Sequence, residues 1–326
     1  MKILIVRFSS IGDIVLTTPV IRCLKLQLGA EIHFLTKKSF SNILSANPYV
    51  NKIHELDTDW NSMVAQLRTE KFDLIVDLHH NLRSLRLKLA LGRPARSFQK
   101  LNFKKWLLVN LKINNLPSRH IVDRYLDTVT HLGVVNDLQG LDHFIPADQD
   151  VSPSQIDPRL AAENYIAVVI GATHATKRLP REKLIWILHS VQKPIVILGG
   201  KTEVEDGNWI EKQSGNRTWI NLCGKLSIHQ SASLVRQADK VVSHDTGLMH
   251  IAAAFKKRLI SIWGSTVPEF GMYPYYPVDS SGYTVEEVKG LSCRPCSKIG
   301  FAQCPKGHFN CMNQLDFQAI AAKLSD

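Results

Sequence analysis

Short apolar runs and amphipathic stretches alternate along the whole chain. Apolar runs rich in branched residues, which are typical of buried strands, lie in the first half at 2–6, 31–36, 52–56 and 73–78. The second half repeats them at 165–170, 195–198, 219–222, 240–243 and 259–263. Between these runs, apolar residues recur at helical spacing. This alternation predicts an α/β protein in which each half contains a mostly parallel sheet wrapped by helices.

The alternation is interrupted at residues 136–163, which are rich in Asp, Pro, Gln and Ser and show little periodicity. A chain of 326 residues also suits two domains better than one. We therefore predict a first domain over 1–150 and a second over 151–326, with the last helix, at 315–324, as a candidate to pack back on the first. Ligands should bind at the carboxyl ends of both sets of strands, which face each other across a cleft.

The stretch from Val6 to Pro19 joins the first strand to the first helix through a polar loop that contains Ser9, Ser10 and Gly12. Such a loop lies where open α/β sheets bind their ligands. Asp13 follows in the first turn of the helix. A carboxylate at that place is either a helix cap or a catalytic group, and the residues alone leave both readings open.

A second candidate site lies at 243–250, where a strand runs into Ser-His-Asp-Thr-Gly and a helix starts at once. The backbone N–H groups of Thr246, Gly247 and Leu248 are free at such a helix start, and they suit a phosphate or a diphosphate. Asp245 is a candidate ligand residue, and the alternative is that it only caps the helix.

Two further loops follow predicted strands of the second half. The loop at 171–178 contains Thr173 and Lys177, and Lys177 can place a cation near the same anion, unless this is simply a solvated loop. Glu203, after the next strand, can accept hydrogen bonds from a ribose diol or interact with a helix dipole. Neither GxGxxG nor GxxxxGK[ST] follows the first strand, which weakens a dinucleotide oxidoreductase or a P-loop enzyme.

The formal net charge of +11 predicts an anionic partner. No acidic residue occurs between Asp77 and Asp123, a segment that carries ten Lys and Arg residues, among them Arg83 and Arg86. No apolar run approaches the roughly 20 residues of a membrane span, and the amino terminus is too short for a signal peptide. We therefore expect a cytoplasmic protein.

Four cysteines cluster near the carboxyl terminus, with His308 among them, in the order Cys293, Cys296, Cys304 and Cys311. Their number and spacing are compatible with a structural zinc site. A metal site, disulfides and free thiols all remain open, and disulfides are the least favoured of the three in a cytosolic protein.

The stretches 8–19, Phe-Ser-Ser-Ile-Gly-Asp-Ile-Val-Leu-Thr-Thr-Pro, and 243–250, Ser-His-Asp-Thr-Gly-Leu-Met-His, resemble two motifs of the ADP-heptose:lipopolysaccharide heptosyltransferases, which form glycosyltransferase family 9. The resemblance extends over nearly the whole chain. It implies the GT-B architecture of two Rossmann-like domains. It also implies an inverting, metal-independent transfer of heptose from ADP-heptose to a lipopolysaccharide inner-core acceptor.

The resemblance further implies that Asp13 is the general base that takes the proton from the acceptor hydroxyl. We expect the donor to bind at Thr173, Lys177, Glu203, Asp245, Thr246, Gly247 and His250. We expect the acceptor on the opposite side of the cleft, at Ser9, Ser10, Gly12, Arg83 and Arg86.

The expected partners are a nucleotide-sugar donor, an anionic glycolipid acceptor and the cytoplasmic face of the inner membrane, with residues 103–112 nearest the lipid. No cofactor is required and no nucleic acid is expected. One alternative is a GT-B transferase that uses another nucleotide sugar. The alternative from a different class is a basic nucleic-acid-binding protein, but helix-turn-helix and RNP-type motifs are absent.

Overall fold

The computed structural model describes residues 1–160, 164–278 and 282–325. Its N-terminal half contains a five-stranded sheet in which all neighbouring strands are parallel, in the order β3-β2-β1-β4-β5. The strands are β1 (Lys2–Val6), β2 (Glu31–Lys37), β3 (Lys52–Leu56), β4 (Leu74–Asp77) and β5 (Ala95–Ser97). The helices are α1 (Ile11–Val15), α2 (Thr18–Leu28), α3 (Trp60–Thr69), α4 (Leu82–Leu91), α5 (Asn102–Leu111) and α6 (Ile121–Leu126).

The C-terminal half contains a six-stranded parallel sheet in the order β11-β10-β9-β6-β7-β8. Its strands are β6 (Ile166–Val169), β7 (Ile195–Leu198), β8 (Trp219–Asn221), β9 (Lys240–His244), β10 (Arg258–Trp263) and β11 (Tyr283–Glu287). Its helices are α7 (Pro153–Ile156), α8 (Arg181–Leu188), α9 (Val204–Lys212), α10 (Ile228–Gln237), α11 (Gly247–Ala254), α12 (Asn310–Asn313) and α13 (Phe317–Ser325). None of the helices in the described ranges is long and apolar enough to cross a membrane.

Both sheets reverse their strand order at one point, beside β1 in the first and beside β6 in the second. Right-handed crossovers from such a point place helices on both faces of a sheet and open a crevice at the carboxyl ends of the strands. All nine strands predicted from apolar runs are present. Two edge strands were not predicted, because β5 has only three residues and β11 is half-buried without an apolar run.

The two halves touch where α1 packs against α11. A Cβ atom added to Gly12 would lie 2.5 Å from Cδ2 of His250, and one added to Gly247 would lie 2.7 Å from Cγ2 of Ile11. Both positions therefore need glycine, since any side chain would force the helices apart. This contact brings the loop after β1 directly to the amino terminus of α11.

Two ion pairs anchor the predicted linker, one near its start and one at residue 150. Arg22 on α2 forms an ion pair of 2.7 Å with Asp137, and Arg236 on α10 forms one of 2.7 Å with Asp150. The chain crosses from one half to the other between these two anchors, and the boundary that the sequence predicts at residue 150 falls at the second. Residues 161–163 of the predicted linker lie outside the described residues.

The candidate packing of the last helix on the first domain is wrong. Helix α13 packs on α8 of its own half, where Ile320 and Leu324 enter the core of the second sheet. The Lys240 ammonium donates a hydrogen bond of 2.9 Å to the carbonyl oxygen of Lys323. The apolar face of α13 is thus used to complete the nearest sheet, and nothing in its sequence specifies which sheet that is.

Candidate active site

The loop after β1 holds Asp13 against a buried arginine. Oδ1 of Asp13 lies 2.5 Å from Nη2 of Arg7, and Oδ2 accepts hydrogen bonds of 3.1 and 2.9 Å from the backbone N–H and the hydroxyl of Ser10. Ser10 is the N-cap of α1, so Asp13 does take part in a capping box. Its side chain keeps 18% of its surface exposed, however, so the carboxylate remains accessible from the cleft.

Arg7 is fixed in place by several acceptors. Its Nε donates a hydrogen bond of 2.8 Å to the carbonyl oxygen of Ser9, and its Nη1 donates one of 3.0 Å to the hydroxyl of Tyr125 and a further one to the carbonyl oxygen of Leu78. The residue is 8% exposed. A buried guanidinium with this many partners orients the carboxylate that it contacts.

The pKa of Asp13 is held below its ordinary value. Burial by itself raises the pKa, but the charge of Arg7 and the hydrogen bonds from Ser10 outweigh it. Asp13 is therefore ionised at neutral pH, and it can accept a proton only weakly while Arg7 and water stabilise its charge.

Additional cations interact electrostatically with this carboxylate, among them Lys100 and Lys105. The ammonium of Lys105 lies 5.5 Å from the centre of the Phe270 ring, and Arg124 donates a hydrogen bond of 3.1 Å to the carbonyl oxygen of the same Phe270. Lys298, which comes from the cysteine-rich segment of the other half, and Lys100 act electrostatically on the same region. Residues of both halves therefore contribute positive charge around Asp13.

Within the described part of the chain, the positive charges of these side chains are not balanced by nearby carboxylates. Burial, together with the charges of Arg124 and Lys298, lowers the pKa of Lys105 to about 8. Burial also lowers the pKa of Lys100, and Arg7 adds to that shift. Across the described residues, neither of these lysines forms an ion pair with a carboxylate. Such a concentration of unpaired cations is suited to an anionic ligand.

Sequence reasoning placed several lysines in a basic segment but did not place Lys105 at the site. A signal was available, because Lys105 shares one helical face with the buried Leu108 and therefore points inward. Arg7 and Lys298 had no comparable local signal, since both reach the site through tertiary contacts.

On the other side of the cleft, Asp245 is held by two donors. Its Oδ2 accepts hydrogen bonds of 2.6 Å from the ammonium of Lys177 and 2.9 Å from the hydroxyl of Thr266. Thr266 was not predicted. The N-cap of α11 is Thr246, whose hydroxyl accepts from the N–H of Leu248, so the reading of Asp245 as the cap is wrong.

The amino terminus of α11 has the local features of the anion site that the sequence predicts. Its first N–H groups have no partner within the helix, and Gly247 keeps side-chain atoms away from them. His250, one turn later, is buried against Gly12, and its Nδ1 has no hydrogen-bond partner among the described residues. Burial lowers the pKa of His250 to about 4, so the imidazole between the two halves is neutral.

Glu203 and Thr173 lie in the loops after β7 and β6. Both carboxylate oxygens of the buried Glu203 accept hydrogen bonds, Oε2 from the N–H of Gly200 at 2.9 Å and Oε1 from the hydroxyl of Thr202 at 2.8 Å. Thr173 is exposed. The roles of both residues in donor binding remain predictions, and Glu203 also has a capping role of its own.

A pocket of about 410 Å³ opens beside the loop after β1. It brings together two predicted acceptor residues, Ser9 and Arg83, and its full lining is Phe8, Ser9, Lys37, His79, Asn81, Leu82 and Arg83. Arg86 does not line it, because its guanidinium stacks on the ring of Trp60 at 4.4 Å. Gly12 lies at the contact with α11 instead, and Ser10 donates its hydrogen bonds to Asp13.

Two groups of side chains have the chemistry of metal ligands. His33, His54 and Glu70 place their ligand atoms within 4.8 Å of one another, but they lie far from the carboxyl ends of the strands. The ammonium groups of Lys2 and Lys52 lie 3.0 and 2.6 Å from Glu70 and already neutralise it. This first group is therefore a structural ion-pair network.

The second group is the cysteine cluster, and none of its four thiols forms a disulfide with a described residue. The Sγ of Cys293 lies 3.9 Å from Nε2 of His308. Burial, followed by the neighbouring thiols, raises the pKa of Cys296, and the same causes raise the pKa of Cys311 to about 12. The thiols therefore interact electrostatically, but among the described residues no three of them bring their sulfur atoms within 4.8 Å of one another.

The cysteine-rich segment braces the site. The Lys112 ammonium of α5 donates a hydrogen bond of 2.8 Å to the carbonyl oxygen of Pro295. Arg294 donates one of 2.8 Å to the carbonyl oxygen of Thr266 and pairs with Glu287 at 2.6 Å. The segment thus connects the helix that carries Lys105 to the residue that holds Asp245.

The chain is similar to several known proteins. A model of the family described as glycosyltransferase family 9 (heptosyltransferase) matches residues 60–299. Lipopolysaccharide heptosyltransferase 1 of Campylobacter coli is 23% identical, over 82% of this chain and 84% of its own length. Lipopolysaccharide heptosyltransferase 3 of Escherichia coli is 26% identical, over 78% of this chain and 81% of its own.

Among solved structures, that of the E. coli ADP-heptose lps heptosyltransferase II aligns with a TM-score of 0.75 at 21% sequence identity. The alignment covers 99% of this chain and 97% of that one. The shared fold confirms the predicted architecture of two mostly parallel sheets.

Replacing Lys105 by Met should stabilise the protein. The lowered pKa means that the charged form is disfavoured in the fold, so the penalty is fully present below pH 8 and disappears as pH rises to the ordinary lysine value. Lys105→Met should raise the free energy of unfolding near neutral pH by on the order of 1–2 kcal/mol, and by less at alkaline pH. Urea denaturation of both proteins at neutral and at alkaline pH measures these free energies of unfolding.

The control is Lys112→Met on the same face of α5. It removes hydrogen bonds to the carbonyl oxygens of Val109 and Pro295 and should lower the free energy of unfolding by up to about 1 kcal/mol. If Lys105→Met were no more stable than wild type near neutral pH, the charged form of Lys105 would not be unfavourable in the folded protein.

Proposed function

Because this chain belongs to glycosyltransferase family 9, we propose that it transfers a heptose from ADP-heptose to an inner-core acceptor of lipopolysaccharide. The observation that carries this proposal is the contact between α1 and α11, where Gly12 meets His250. It places an ionised carboxylate, Asp13, beside a helix terminus suited to a diphosphate. The names of the relatives support heptose as the sugar and ADP as the nucleotide.

In the proposed reaction, the donor diphosphate lies at the amino terminus of α11. Negative charge grows on this leaving group as the anomeric carbon becomes oxocarbenium-like. The N–H groups of the helix and the nearby ammonium of Lys177 stabilise that charge where it develops. The positive charge needed by the leaving group thus comes from the protein, which is why we propose a metal-independent transfer.

Asp13 acts as the general base. It takes the proton from the acceptor hydroxyl while that oxygen attacks the anomeric carbon from the face opposite the diphosphate, so the anomeric configuration inverts. Arg7 keeps Asp13 ionised and oriented, although the same ion pair makes it a weak base. Binding of the acceptor excludes water from the carboxylate and thereby raises its proton affinity at the time of transfer.

The acceptor carries an anionic group close to the reacting hydroxyl. The unpaired cations of Lys100 and Lys105 support this, as does Lys298 from the opposite half of the chain. Arg83 in the neighbouring pocket suits a second anionic group. An anionic glycolipid has both features, and the enzyme would meet it at the cytoplasmic face of a membrane.

The four clustered cysteines take no part in the transfer, and we propose that they draw together around a structural metal ion, for which zinc is the first candidate, because their sulfur atoms are not gathered within 4.8 Å of one another without it. Four soft sulfur ligands are the donor set that zinc prefers in structural sites. Burial raises the pKa values of Cys296 and Cys311, and a bound metal cation would lower them again because it binds the deprotonated thiolates. The ion would stabilise the segment that carries Lys298 and supports Thr266.

Incubation with ADP-heptose and a Kdo-bearing lipid acceptor should release ADP. Asp13→Asn should lower kcat by about 10²–10⁴-fold, because it removes the base while keeping the shape of the side chain. Binding of ADP-heptose, followed by calorimetry, should be unchanged. Asp59→Asn is the matched control, since Asp59 caps α3 and Asn caps equally well.

Full activity of Asp13→Asn would refute its role as the base. Transfer from a UDP- or GDP-sugar, with none from ADP-heptose, would instead refute the donor and leave the site in place.

Protein purified without added metal should contain about one equivalent of metal per chain by mass spectrometry, as expected for one four-cysteine site. Cys296→Ser should lose it and should no longer be destabilised by a chelator. Cys223→Ser, a buried thiol outside the cluster, should retain it. A wild-type protein that takes up no metal even in a zinc titration would contradict the proposal.

A further inference from the structure

Helices α4 and α5 expose large apolar side chains that no part of the described chain covers. Leu82 is 85% exposed, Leu89 74% and Phe103 73%. Leu85 and Trp106 are each nearly half exposed, at 46% and 47%. Single exposed leucines are common on protein surfaces, but five such residues on two neighbouring elements of the chain require an explanation.

On α4 these residues form a ridge. Leu82, Leu85 and Leu89 recur at spacings of three and four and therefore share one face, whereas Leu87 and Leu91 are buried on the opposite side. The helix is consequently apolar both toward the core and toward the outside.

On α5 the exposed rings of Phe103 and Trp106 stack, with centroids 6.4 Å apart and planes 11° from parallel. Lys105 and Lys112 point the other way, toward Phe270 and the cysteine-rich segment. Lys104 is the exposed cation beside the two rings. The exposed part of α5 thus presents two aromatic rings beside one lysine, and Leu111 at the end of the helix is also 54% exposed.

Exposed cations flank the apolar residues, and they are Arg83, Arg86, Arg93 and Lys104. Among the described residues, none of these four forms an ion pair with a carboxylate, and the whole sequence from residue 78 to residue 122 contains no acidic residue. A partner for this face must therefore offer both an apolar phase and negative charge.

The position of the two helices relates this face to the site. Strands β4 and β5 are parallel neighbours, so α4 and α5, which follow them, both begin at the carboxyl edge of the sheet. Leu82 lines the pocket beside Ser9 and Arg83. The apolar face therefore borders the opening through which an acceptor would enter.

We propose that α4 and α5 form a membrane-docking surface that inserts into the headgroup region of an anionic phospholipid leaflet. The docking surface consists of Leu82, Leu85, Leu89, Phe103 and Trp106 with the cations Arg83, Arg86, Arg93 and Lys104. Amphipathic helices that lie on membranes combine the same elements: leucine and aromatic residues for the acyl boundary and basic residues for the lipid phosphates. The absence of acidic residues from the segment argues against an ordinary protein partner.

Docking in this orientation would bring a lipid-linked acceptor to Asp13. This part of the inference rests on the proposed function. The acyl chains stay in the leaflet beside the ridge of α4, while the headgroup enters the pocket at Ser9. The enzyme would then not have to extract the lipid from the bilayer.

Co-sedimentation with vesicles tests the docking surface without any transfer reaction. Wild-type protein should bind vesicles of phosphatidylcholine with phosphatidylglycerol, should bind pure phosphatidylcholine much less, and should dissociate as salt rises. The double variants Leu85→Ser/Leu89→Ser and Phe103→Ser/Trp106→Ser should each lower the partition coefficient by about tenfold or more. The control variants are Leu26→Ser and Trp186→Ser, because Leu26 and Trp186 are 63% and 51% exposed but lie outside the docking surface. The partition coefficient of each control should stay within about twofold of wild type.

The two double variants should transfer heptose to a soluble, delipidated acceptor as fast as wild type. Vesicle binding that is equal in variants and wild type would overturn the docking surface. A second outcome would also overturn it: variants that still bind vesicles but no longer self-associate in size-exclusion chromatography. That result would assign the face to a second copy of the chain. A wild-type protein that binds vesicles but transfers no sugar would refute the proposed function and leave the docking surface standing.

Discussion

The buried ion pair between Arg7 and Asp13 is the interaction on which the site depends. It lowers the pKa of the carboxylate against the effect of burial, and the further hydrogen bonds of Arg7 fix the direction in which it points. The same pair limits the strength of Asp13 as a base. In the proposed mechanism, the site becomes reactive only when substrates replace the water around Asp13.

The close approach of Gly12 and Gly247 determines what the carboxylate can face. Because α1 and α11 meet at these two glycines, Asp13 lies beside the helix terminus that is suited to a diphosphate. The cations around it, with Lys105 as the clearest case, are unfavourable for the folded protein alone and favourable once an anion is bound. Such local conflict is expected where a binding site has been placed at a cost in stability.

Most of the fold and part of the site could be predicted from the sequence. Apolar runs and helical periodicity are local properties, so the strands and the loops that carry Asp13 and Asp245 followed from them. Contacts between distant segments could not be predicted: Thr266 reaches Asp245 and α13 packs on α8 only because of the tertiary fold. Arg86 illustrates the same limit, since the nearby Trp60 draws its guanidinium away from the pocket.

The pH dependence of the transfer rate in wild type and in Arg7→Met tests the central claim most directly. In wild type, kcat/KM should stay constant as pH falls to about 4, the ordinary pKa of an aspartate, because kcat/KM reports the free enzyme, in which the pKa of Asp13 lies below that value. In Arg7→Met burial acts on Asp13 without the opposing cation, so its pKa rises and the loss of rate on acidification should begin at a higher pH, while Arg7→Lys should restore part of the wild-type profile. An acid limb at the same pH in wild type and in Arg7→Met would contradict the assignment of Asp13 as a base controlled by Arg7.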